Sequence, residues 1–478
     1  MLSHFIDGEA QAPASGRWLD DVNPATGEVH ALIARGDAED VDRAAAAAKA
    51  ALHGPWSQWT AERRAELLEQ IAAGIEARID EFAEAESQDQ GKPVSLARRM
   101  DIPRAIQNFR FFASALRAES LGAHPTLGVL NYTARRPLGV VGLITPWNLP
   151  LYLLTWKTAP ALAMGNTLVA KPSELTPWTA SLLAEVIQAA GAPRGVFNLV
   201  HGLGAEVGQA LVEHPDIVGL SFTGGTVTGR RLAATAAPML KKLSLELGGK
   251  NATLVFADAD FDQAVEGACR AAFLNQGEIC LCGSRILVER PIYDRFVAAL
   301  TEKVKALRVG DPADPTTDLG ALISLEHRAK VEGYLRLAVE EGGTILCGGE
   351  RPALPAPHDA GAFLTPALVS GLAPSCRTAT EEIFGPVATI HPFDTEAEAI
   401  QINNLTRYGL SASIWTEGLR RAHRVAEALD VGLVWVNTWM LRDLRVPFGG
   451  VKDSGVGREG GAHSFEFFSE AKNICVKL

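Results

Sequence analysis

Short apolar runs alternate with longer amphipathic stretches along the chain, and this alternation predicts its secondary structure. Apolar runs with the length of a buried strand cover 139–145, 167–171, 196–200, 218–222 and 242–246. Amphipathic stretches predict helices from about 39, from 150, and over 177–190, 205–213, 226–236 and 261–274. Strands separated by helices of about ten to fifteen residues are typical of βαβ units in a parallel sheet. The sequence therefore predicts an α/β fold.

A second alternating region, 252–433, predicts another α/β domain. The first region is expected to be a Rossmann-like parallel-sheet domain. Ligands of such sheets bind at the carboxyl ends of the strands. Lys171, Thr223 and Glu246 all fall at predicted strand ends, so we expect them near a ligand.

Length and charge narrow the function classes. A chain of 478 residues is longer than one hydrophobic core usually supports, so two or three domains are expected. The formal net charge of −11 argues against nucleic acid or an anionic membrane as the main partner. The 6 cysteines are too scattered for a disulfide framework. No secretory signal is visible after Met1, so the cytoplasm is the expected location.

The nearly uncharged segment 138–156 could be mistaken for a membrane span. Pro146, Asn148 and Pro150 interrupt its centre, and such residues disfavour a spanning helix. We interpret the segment as a buried strand, a loop, and a helix that begins near Pro150.

Cys280 is the main candidate nucleophile. It lies in the segment NQGEICLCGSR, just past a predicted helix and a glycine-containing turn. Glu246 ends an apolar strand in the segment LELGGK. A cysteine nucleophile and a carboxylate base suit chemistry that forms a thioester and then hydrolyses it. Cys280 and Cys282 have no second Cys or His pair with zinc spacing nearby, so no metal site is expected.

The segments around Cys280 and Glu246 together resemble the NAD(P)-dependent aldehyde dehydrogenase superfamily, and the resemblance runs nearly end to end. It implies that the Asn148 amide and the Cys280 N–H form an oxyanion hole. In the implied cycle, Cys280 attacks the aldehyde, hydride passes to the nicotinamide, and Glu246 activates the water that hydrolyses the thioester. Glu278 stands where the family often has Gln, and it is assigned no catalytic role.

The resemblance also implies an NAD site. Phe222-Thr-Gly-Gly225 resembles the family's Phe-Thr-Gly-Ser motif and opens a helix whose N-terminus suits a pyrophosphate. Glycine at 225 keeps the backbone amide of that motif and lacks its hydroxyl. Lys171-Pro-Ser-Glu174 resembles the adenosine-ribose site, and the Glu174 carboxylate would repel a 2′-phosphate. NAD is therefore favoured over NADP.

Other cofactor contacts follow from weaker signals. Gly204 and Gly208 belong to a near-match to the dinucleotide glycine fingerprint. By resemblance, Glu382 holds the nicotinamide ribose and Phe384 packs nearby. The full set of expected cofactor residues is Thr145, Pro146, Trp147, Lys171, Ser173, Glu174, Gly204, Gly208, Phe222, Thr223, Gly224, Gly225, Leu247, Gly248, Glu382 and Phe384.

The resemblance also implies a substrate class. The segments around Arg110 and Arg442 resemble the branch that acts on 2-aminomuconate or 2-hydroxymuconate 6-semialdehyde, which carry a carboxylate opposite the aldehyde. By that resemblance Arg110 and Arg442 grip the carboxylate, which suits the planar arginine fork. Arg104 and Arg445 lie near enough in the sequence to replace one of them.

The resemblance further implies a domain plan and an oligomer. Residues 1–118 and 139–247 are expected to form the NAD-binding domain, and 248–453 the catalytic domain. Residues 119–138 and 460–478 are expected to form a small bridging sheet that pairs subunits into a homodimer or homotetramer.

Two alternatives remain open from the sequence. One is an aldehyde dehydrogenase of other specificity, for a betaine, aliphatic or aromatic aldehyde, which has no use for paired arginines. The other is a non-enzymatic structural homologue, which the intact Cys280, Glu246 and Asn148 set disfavours.

Overall fold

The computed structural model describes residues 1–478, which form 22 strands and 16 α-helices. The strands are β1 His4–Ile6, β2 Glu9–Gln11, β3 Trp18–Val22, β4 Val29–Ala34, β5 Ala123–Thr126, β6 Val129–Pro137, β7 Val140–Ile144, β8 Thr167–Lys171, β9 Phe197–Leu199, β10 Ile217–Thr223, β11 Lys242–Glu246, β12 Ala252–Val255, β13 Arg285–Glu289, β14 Thr344–Cys347, β15 Ala367–Ser370, β16 Val387–Phe393, β17 Tyr408–Gly409, β18 Ser411–Trp415, β19 Leu433–Val436, β20 Val451–Lys452, β21 Gly455–Val456 and β22 Ser469–Lys477. The helices are α1 Ala38–His53, α2 Ala61–Ala77, α3 Ile79–Gln90, α4 Val94–Leu96, α5 Ile102–Arg117, α6 Pro150–Ala163, α7 Trp178–Ala189, α8 Gln209–Glu213, α9 Thr226–Ala236, α10 Phe261–Phe273, α11 Tyr293–Lys305, α12 Leu325–Glu340, α13 Arg377–Thr380, α14 Glu396–Asn404, α15 Leu419–Ala428 and α16 Gly461–Phe467.

The first large sheet has eight strands in the order β2-β1-β9-β8-β7-β10-β11-β21. Its central strands β9, β8, β7, β10 and β11 are parallel. From β7 the chain adds β8 and β9 on one side and then returns to add β10 and β11 on the other. That reversal is a topological switch point, and ligands bind there at the carboxyl ends of the strands.

The second large sheet has seven strands in the order β14-β15-β16-β13-β12-β18-β19. It is parallel except for β14, which pairs antiparallel with β15. Two parallel-sheet layers with crossover helices confirm the predicted α/β class.

A third sheet of three strands stands apart from the two large ones, in the order β22-β6-β5. β22 pairs antiparallel with β6 along its whole length, and β5 pairs antiparallel with β6. One edge of β22 has no partner within the chain. The division into cofactor, catalytic and bridging parts, with its boundaries at 118, 139, 248 and 460, stays a prediction.

The predicted elements agree closely with the observed ones. The strands at 167–171 and 242–246 and the helix at 226–236 have the predicted bounds. The predicted helix at 205–213 differs, because it opens with a π-helical turn at Gly204–Gly208 and only Gln209–Glu213 is α-helical. No helix combines the length and the apolar character that crossing a membrane requires.

A buried arginine joins the second sheet to the segments around it. Arg285, the first residue of β13, is 2% exposed. Its guanidinium donates to the carbonyl oxygens of Lys250 at 2.8 Å, Ile402 at 2.8 Å and Asn403 at 3.0 Å. Burial lowers the Arg285 pKa to about 10. The side chain is therefore still charged at neutral pH and depends on these carbonyls in place of water.

We expect Arg285→Ala to lower the free energy of unfolding by at least about 3 kcal/mol, because it leaves three buried carbonyls without donors. The measurement is urea unfolding followed by tryptophan fluorescence. Arg290→Ala is the matched control, since Arg290 forms an exposed ion pair with Asp394 and should change the urea midpoint little. Equal shifts of the midpoint in the two variants would contradict this account of Arg285.

Candidate active site

A cavity of about 280 Å³ lies at the switch point of the first sheet. It is bounded by the segments that follow β7, β10 and β11 and by the turn that follows α10. Its lining residues are Pro146, Trp147, Asn148, Leu153, Thr223, Gly224, Gly225, Leu247, Gly248, Cys280, His327, Lys330, Glu382 and Phe384. The sequence did not predict Leu153, His327 or Lys330, and it predicted every other lining residue.

An unusual turn presents Cys280 to the cavity. Asn275, Gln276 and Gly277 have φ values of 55°, 56° and 75°, so three successive residues are left-handed. A Cβ on Gly277 would lie 2.3 Å from the Gly385 carbonyl oxygen. Glycine is therefore required at 277 for the conformation and for the close approach. The turn ends α10 and directs the chain back to place Cys280 at the cavity wall.

The surroundings of the Cys280 thiol favour its neutral form. Burial raises the pKa of the thiol, and the charges of Glu246 and Glu382 raise it further. The Asn251 amide fixes the backbone by donating to the carbonyls of Cys280 at 2.7 Å and Cys282 at 3.0 Å. Cys282 is buried and does not line the cavity. Of the two cysteines, only Cys280 can meet a ligand in the cavity.

Asn148 follows β7 and is held on both its side chain and its backbone. Its Nδ2 donates to the Glu278 carbonyl at 2.8 Å. Its own carbonyl accepts from Lys92 Nζ at 3.1 Å and from Asn275 Nδ2 at 3.2 Å. Lys92 is fully buried and lies 3.2 Å from the Asp101 carboxylate. One Nδ2 hydrogen is thus used for orientation and the second can point at a ligand.

Glu246 ends β11 and is 5% exposed. Burial raises the pKa of the Glu246 carboxyl well above its usual range, and the Glu459 carboxylate raises it further, while Lys157 opposes the shift. Lys157 Nζ donates to Glu459 at 2.6 Å and to Ser221 Oγ at 3.0 Å. Glu246 Oε1 has no hydrogen-bond partner. The side chain does not line the cavity in this conformation, and its charge still acts on Cys280.

The glycine motif after β10 presents unoccupied donors to the cavity. Thr223, Gly224 and Gly225 line the cavity, and Phe222 is buried beneath them. Thr223 Oγ1 is buried without a hydrogen-bond partner. Gly225 precedes α9, and the space where its Cβ would stand is open. The first amides of α9 have no intrahelical partner, so this corner suits an anion.

The lysine and glutamate after β8 form an ion pair. Lys171 Nζ lies 2.7 Å from Glu174 Oε2, and the Lys171 side chain is buried. The Thr145 N–H donates to the Lys171 carbonyl at 3.1 Å, which joins the ends of β7 and β8. Ser173 Oγ accepts from the Leu175 N–H at 3.2 Å. This hydrogen bond orders the loop after β8 that carries Glu174.

Gly204 and Gly208 lie outside the cavity. They bound the π-helical turn that precedes α8. Their predicted contact with a cofactor stays a prediction.

The opposite wall of the cavity comes from segments that flank strands of the second sheet. Glu382 Oε1 accepts from the Gly249 N–H at 2.8 Å. A Cβ on Gly248 would lie 2.3 Å from Glu382 Oε2, so a side chain at 248 would displace this carboxylate from its present position. Phe384 is left-handed, with φ 62°, and its ring meets Trp147 edge-on at 5.3 Å. The predicted Trp147, Glu382 and Phe384 are thus brought together.

Arg442 lies among aromatic rings near the nucleophile. Its Cζ is 3.9 Å from the Phe448 ring centroid and 4.9 Å from that of Trp156. Nη1 donates to the Tyr152 hydroxyl at 2.9 Å. Nε and Nη2 are buried with no partner. The charge of Arg442 acts on Cys280 by opposing the rise of its thiol pKa, so the two side chains lie within electrostatic reach.

Arg110 is not part of this group, and its predicted place there is wrong. It pairs with Glu76 at 2.5 Å on the outside of the protein, where both side chains are about half exposed. The second arginine is Arg104, which also lies on α5. Burial lowers the Arg104 pKa to about 10, and the charge of Arg442 lowers it further. Arg445 pairs with exposed Asp443, so it does not replace Arg110 or Arg442 in this group.

Arg104 is oriented much as Arg442 is. Its Nε donates to Asn108 Oδ1 at 3.1 Å. Its Cζ lies 5.2 Å from the Tyr152 ring centroid and 5.5 Å from that of Trp156. Nη2 is buried without a partner. Two half-buried guanidinium groups therefore share the Trp156 ring and contact Tyr152, and each has a buried N–H left for a ligand.

Comparisons with known proteins agree with these features. The aldehyde dehydrogenase family model matches residues 11–474. The chain is 52% identical to 2-hydroxymuconic semialdehyde dehydrogenase of Pseudomonas sp. strain CF600, over 100% of this chain and 99% of that protein. It is 50% identical to 2-aminomuconic 6-semialdehyde dehydrogenase of Pseudomonas sp., over 99% and 98%. A solved NAD⁺ complex of aldehyde dehydrogenase from Bacillus cereus matches with a TM-score of 0.97 and 38% identity, over 100% of this chain and 96% of that one.

Proposed function

The chain belongs to the aldehyde dehydrogenase family, and from that premise we propose that it oxidises a carboxylated semialdehyde with NAD. The substrate class is 2-hydroxymuconate or 2-aminomuconate 6-semialdehyde, and the product is the corresponding acid. Two relatives that match nearly end to end carry those substrate names. The observation that carries the proposal is the pair of half-buried guanidinium groups, Arg104 and Arg442, each with buried N–H donors that have no partner.

The first chemical step is acylation of Cys280. The thiol gives its proton to solvent and the sulfur attacks the aldehyde carbon, which forms a C–S bond and converts the carbonyl oxygen into an oxyanion. The Asn148 amide carries an N–H that its bond to Glu278 does not use, and it stabilises the oxyanion together with the Cys280 N–H. Donors of this kind typically contribute on the order of 10²–10³-fold in rate. Loss of hydride from the carbon leaves a thioester.

The second step is hydrolysis of that thioester. Glu246 removes a proton from water, the water oxygen attacks the thioester carbon, and the C–S bond breaks. A general base works best with a pKa near the operating pH, and burial shifts the Glu246 pKa in that direction. The buried ion pair of Lys157 and Glu459 lies beside Glu246. Its polar groups can stabilise Glu246 after it has taken the proton from water.

NAD supplies the hydride acceptor when it is bound. The amides at the start of α9, with Thr223 and Gly225, suit its pyrophosphate. Lys171 can donate to the adenosine ribose hydroxyls and Glu174 can accept from them. Glu382 would accept from the second ribose. The buried, unpartnered Thr223 hydroxyl and the open space at Gly225 fit a ligand with phosphate oxygens.

Assembly and location are part of the proposal. We infer that the unpaired edge of β22, in the three-stranded sheet, joins another subunit in a homodimer or homotetramer, since an exposed strand edge tends to be covered. All six cysteines are free thiols. Free thiols suit a reducing compartment, which supports a cytoplasmic location.

Cys280→Ala should abolish NADH formation while NAD still binds, because the nucleophile is lost and the cofactor wall is unchanged. NADH absorbance and an NAD titration by calorimetry measure the two effects. Cys282→Ala is the control, since Cys282 is buried away from the cavity. Near-normal turnover by Cys280→Ala would exclude Cys280 as the nucleophile.

Glu246→Gln should give one burst of NADH and then stop, because acylation continues and hydrolysis lacks its base. Intact-mass spectrometry should find the acyl group on Cys280. In the wild-type protein the raised Glu246 pKa leaves less ionised base as the pH falls, so steady-state turnover should decline at acid pH. Steady turnover by an unmodified Glu246→Gln enzyme would contradict this role.

Arg104→Ala and Arg442→Ala should each lose about 1.5–3 kcal/mol of substrate binding, since a charge-assisted hydrogen bond is removed. That corresponds to roughly a ten- to hundred-fold fall in kcat/KM for the muconate semialdehyde. A neutral aliphatic aldehyde should be little affected. Arg110→Ala and Arg445→Ala are matched controls on exposed arginines. Equal losses on both substrates, or a loss in the controls alone, would refute the carboxylate clamp.

A further inference from the structure

His327 connects two parts of the cavity wall that come from distant segments. It lies in the first turn of α12. The Ser324 hydroxyl caps this helix by accepting from the His327 backbone N–H at 3.0 Å. Its Nε2 is 2.6 Å from the Phe384 carbonyl oxygen and 3.7 Å from Glu278 Oε1. The ring also lines the cavity. One imidazole thus touches the wall beside Phe384 and the turn that carries the nucleophile.

The chemistry of the contact fixes the direction of the hydrogen bond. A carbonyl oxygen can only accept, so Nε2 carries the hydrogen and donates to Phe384. Burial lowers the His327 pKa to about 4, so the ring is neutral at physiological pH with Nδ1 unprotonated. The bond to the Phe384 carbonyl therefore persists across the working range of pH.

Phe384 depends on such a partner because its backbone is strained. A φ of 62° is unfavourable for a residue with a bulky side chain, and it persists only where surrounding contacts enforce it. His327 holds the carbonyl, and Trp147 packs edge-on against both rings at 5.3 Å. The orientation of the Phe384 ring in the cavity follows from these contacts.

Glu278 is the second partner, and it is tied to the oxyanion donor. Its carboxyl accepts from Gln90 Nε2 at 2.7 Å and from the Ile323 N–H at 3.1 Å. Its backbone carbonyl accepts from Asn148 Nδ2 at 2.8 Å. The side chain is fully buried. His327 therefore lies against the residue that orients the Asn148 amide.

We propose that His327 is a positioning residue for hydride transfer. It keeps Phe384, and the part of the cavity wall that Phe384 forms, correctly placed relative to Cys280 and Asn148. The imidazole touches neither the reacting carbon nor the thiol, and it acts through Phe384 and Glu278. The inference rests on the proposed function, since the reaction it serves is the oxidation of the aldehyde. It adds a residue from α12 that no sequence motif indicated.

The test compares His327→Ala, His327→Gln and His358→Ala in the full-length enzyme. His358 is the matched control, because its Nδ1 lies 3.2 Å from the Ala25 carbonyl and its ring meets Phe363 edge-on, away from the cavity. NADH formation in the first turnover is followed by stopped flow, with the aldehyde carrying hydrogen or deuterium at the reacting carbon. NAD affinity and melting temperature are measured on each variant.

His327→Ala should slow the first turnover about 10- to 100-fold, as expected for misplaced reacting groups. Its deuterium isotope effect on the burst should increase at saturating NAD, where a change in NAD affinity no longer limits the rate. His327→Gln should recover much of the rate, since its amide can donate to the Phe384 carbonyl, and His358→Ala should match the wild type.

Three results would overturn the role of His327. They are a wild-type burst in His327→Ala, a His327→Gln burst as slow as that of His327→Ala, and a loss shared by His358→Ala. A wild-type protein that forms no NADH from any aldehyde would instead overturn the proposed function. The two failures are therefore distinguishable.

Discussion

The hydrogen bond from the Asn148 amide to the Glu278 carbonyl, 2.8 Å long, is the constraint on which the site depends. Asn148 lies in the loop that follows β7 of the first sheet, and Glu278 lies in the turn that follows α10. The bond fixes the cysteine turn against the switch point, where parallel strands leave a ligand-sized gap. Buried Lys92 also stabilises this loop by donating to the Asn148 backbone carbonyl. Without this junction the nucleophile and the glycine motif would belong to two separate surfaces.

Closing the site in this way has an electrostatic cost. Burial raises the pKa of the Cys280 thiol and of the Glu246 carboxyl above their usual ranges. Burial therefore disfavours the ionised form of each group, and it is the ionised forms that the proposed chemistry uses. Arg442 partly offsets the cost because its positive charge opposes both shifts. The same arginine is the proposed anchor for the substrate carboxylate, so binding and nucleophile chemistry are electrostatically linked.

Local sequence patterns predicted the strands and the turn at Gly277, because each depends on neighbouring residues, and the family resemblance predicted most of the cavity wall. The arginine pair could not be fixed that way. Arg104 and Arg110 are six positions apart on one helix, roughly 240° around its axis, and only packing decides which of them faces inward. Glu76 on α2 retains Arg110 outside. His327 was missed because its partners, Phe384 and Glu278, are distant in the sequence and meet it only after folding.

The central claim is that the substrate carboxylate lies between Arg104 and Arg442 while its aldehyde faces Cys280. A crystal structure of Cys280→Ala with NAD and a muconate semialdehyde tests it most directly. The account predicts carboxylate oxygens about 2.7–2.9 Å from guanidinium nitrogens of both arginines, and the aldehyde oxygen near Asn148 Nδ2. A carboxylate that points to solvent or contacts neither arginine, with the aldehyde still at position 280, would contradict it.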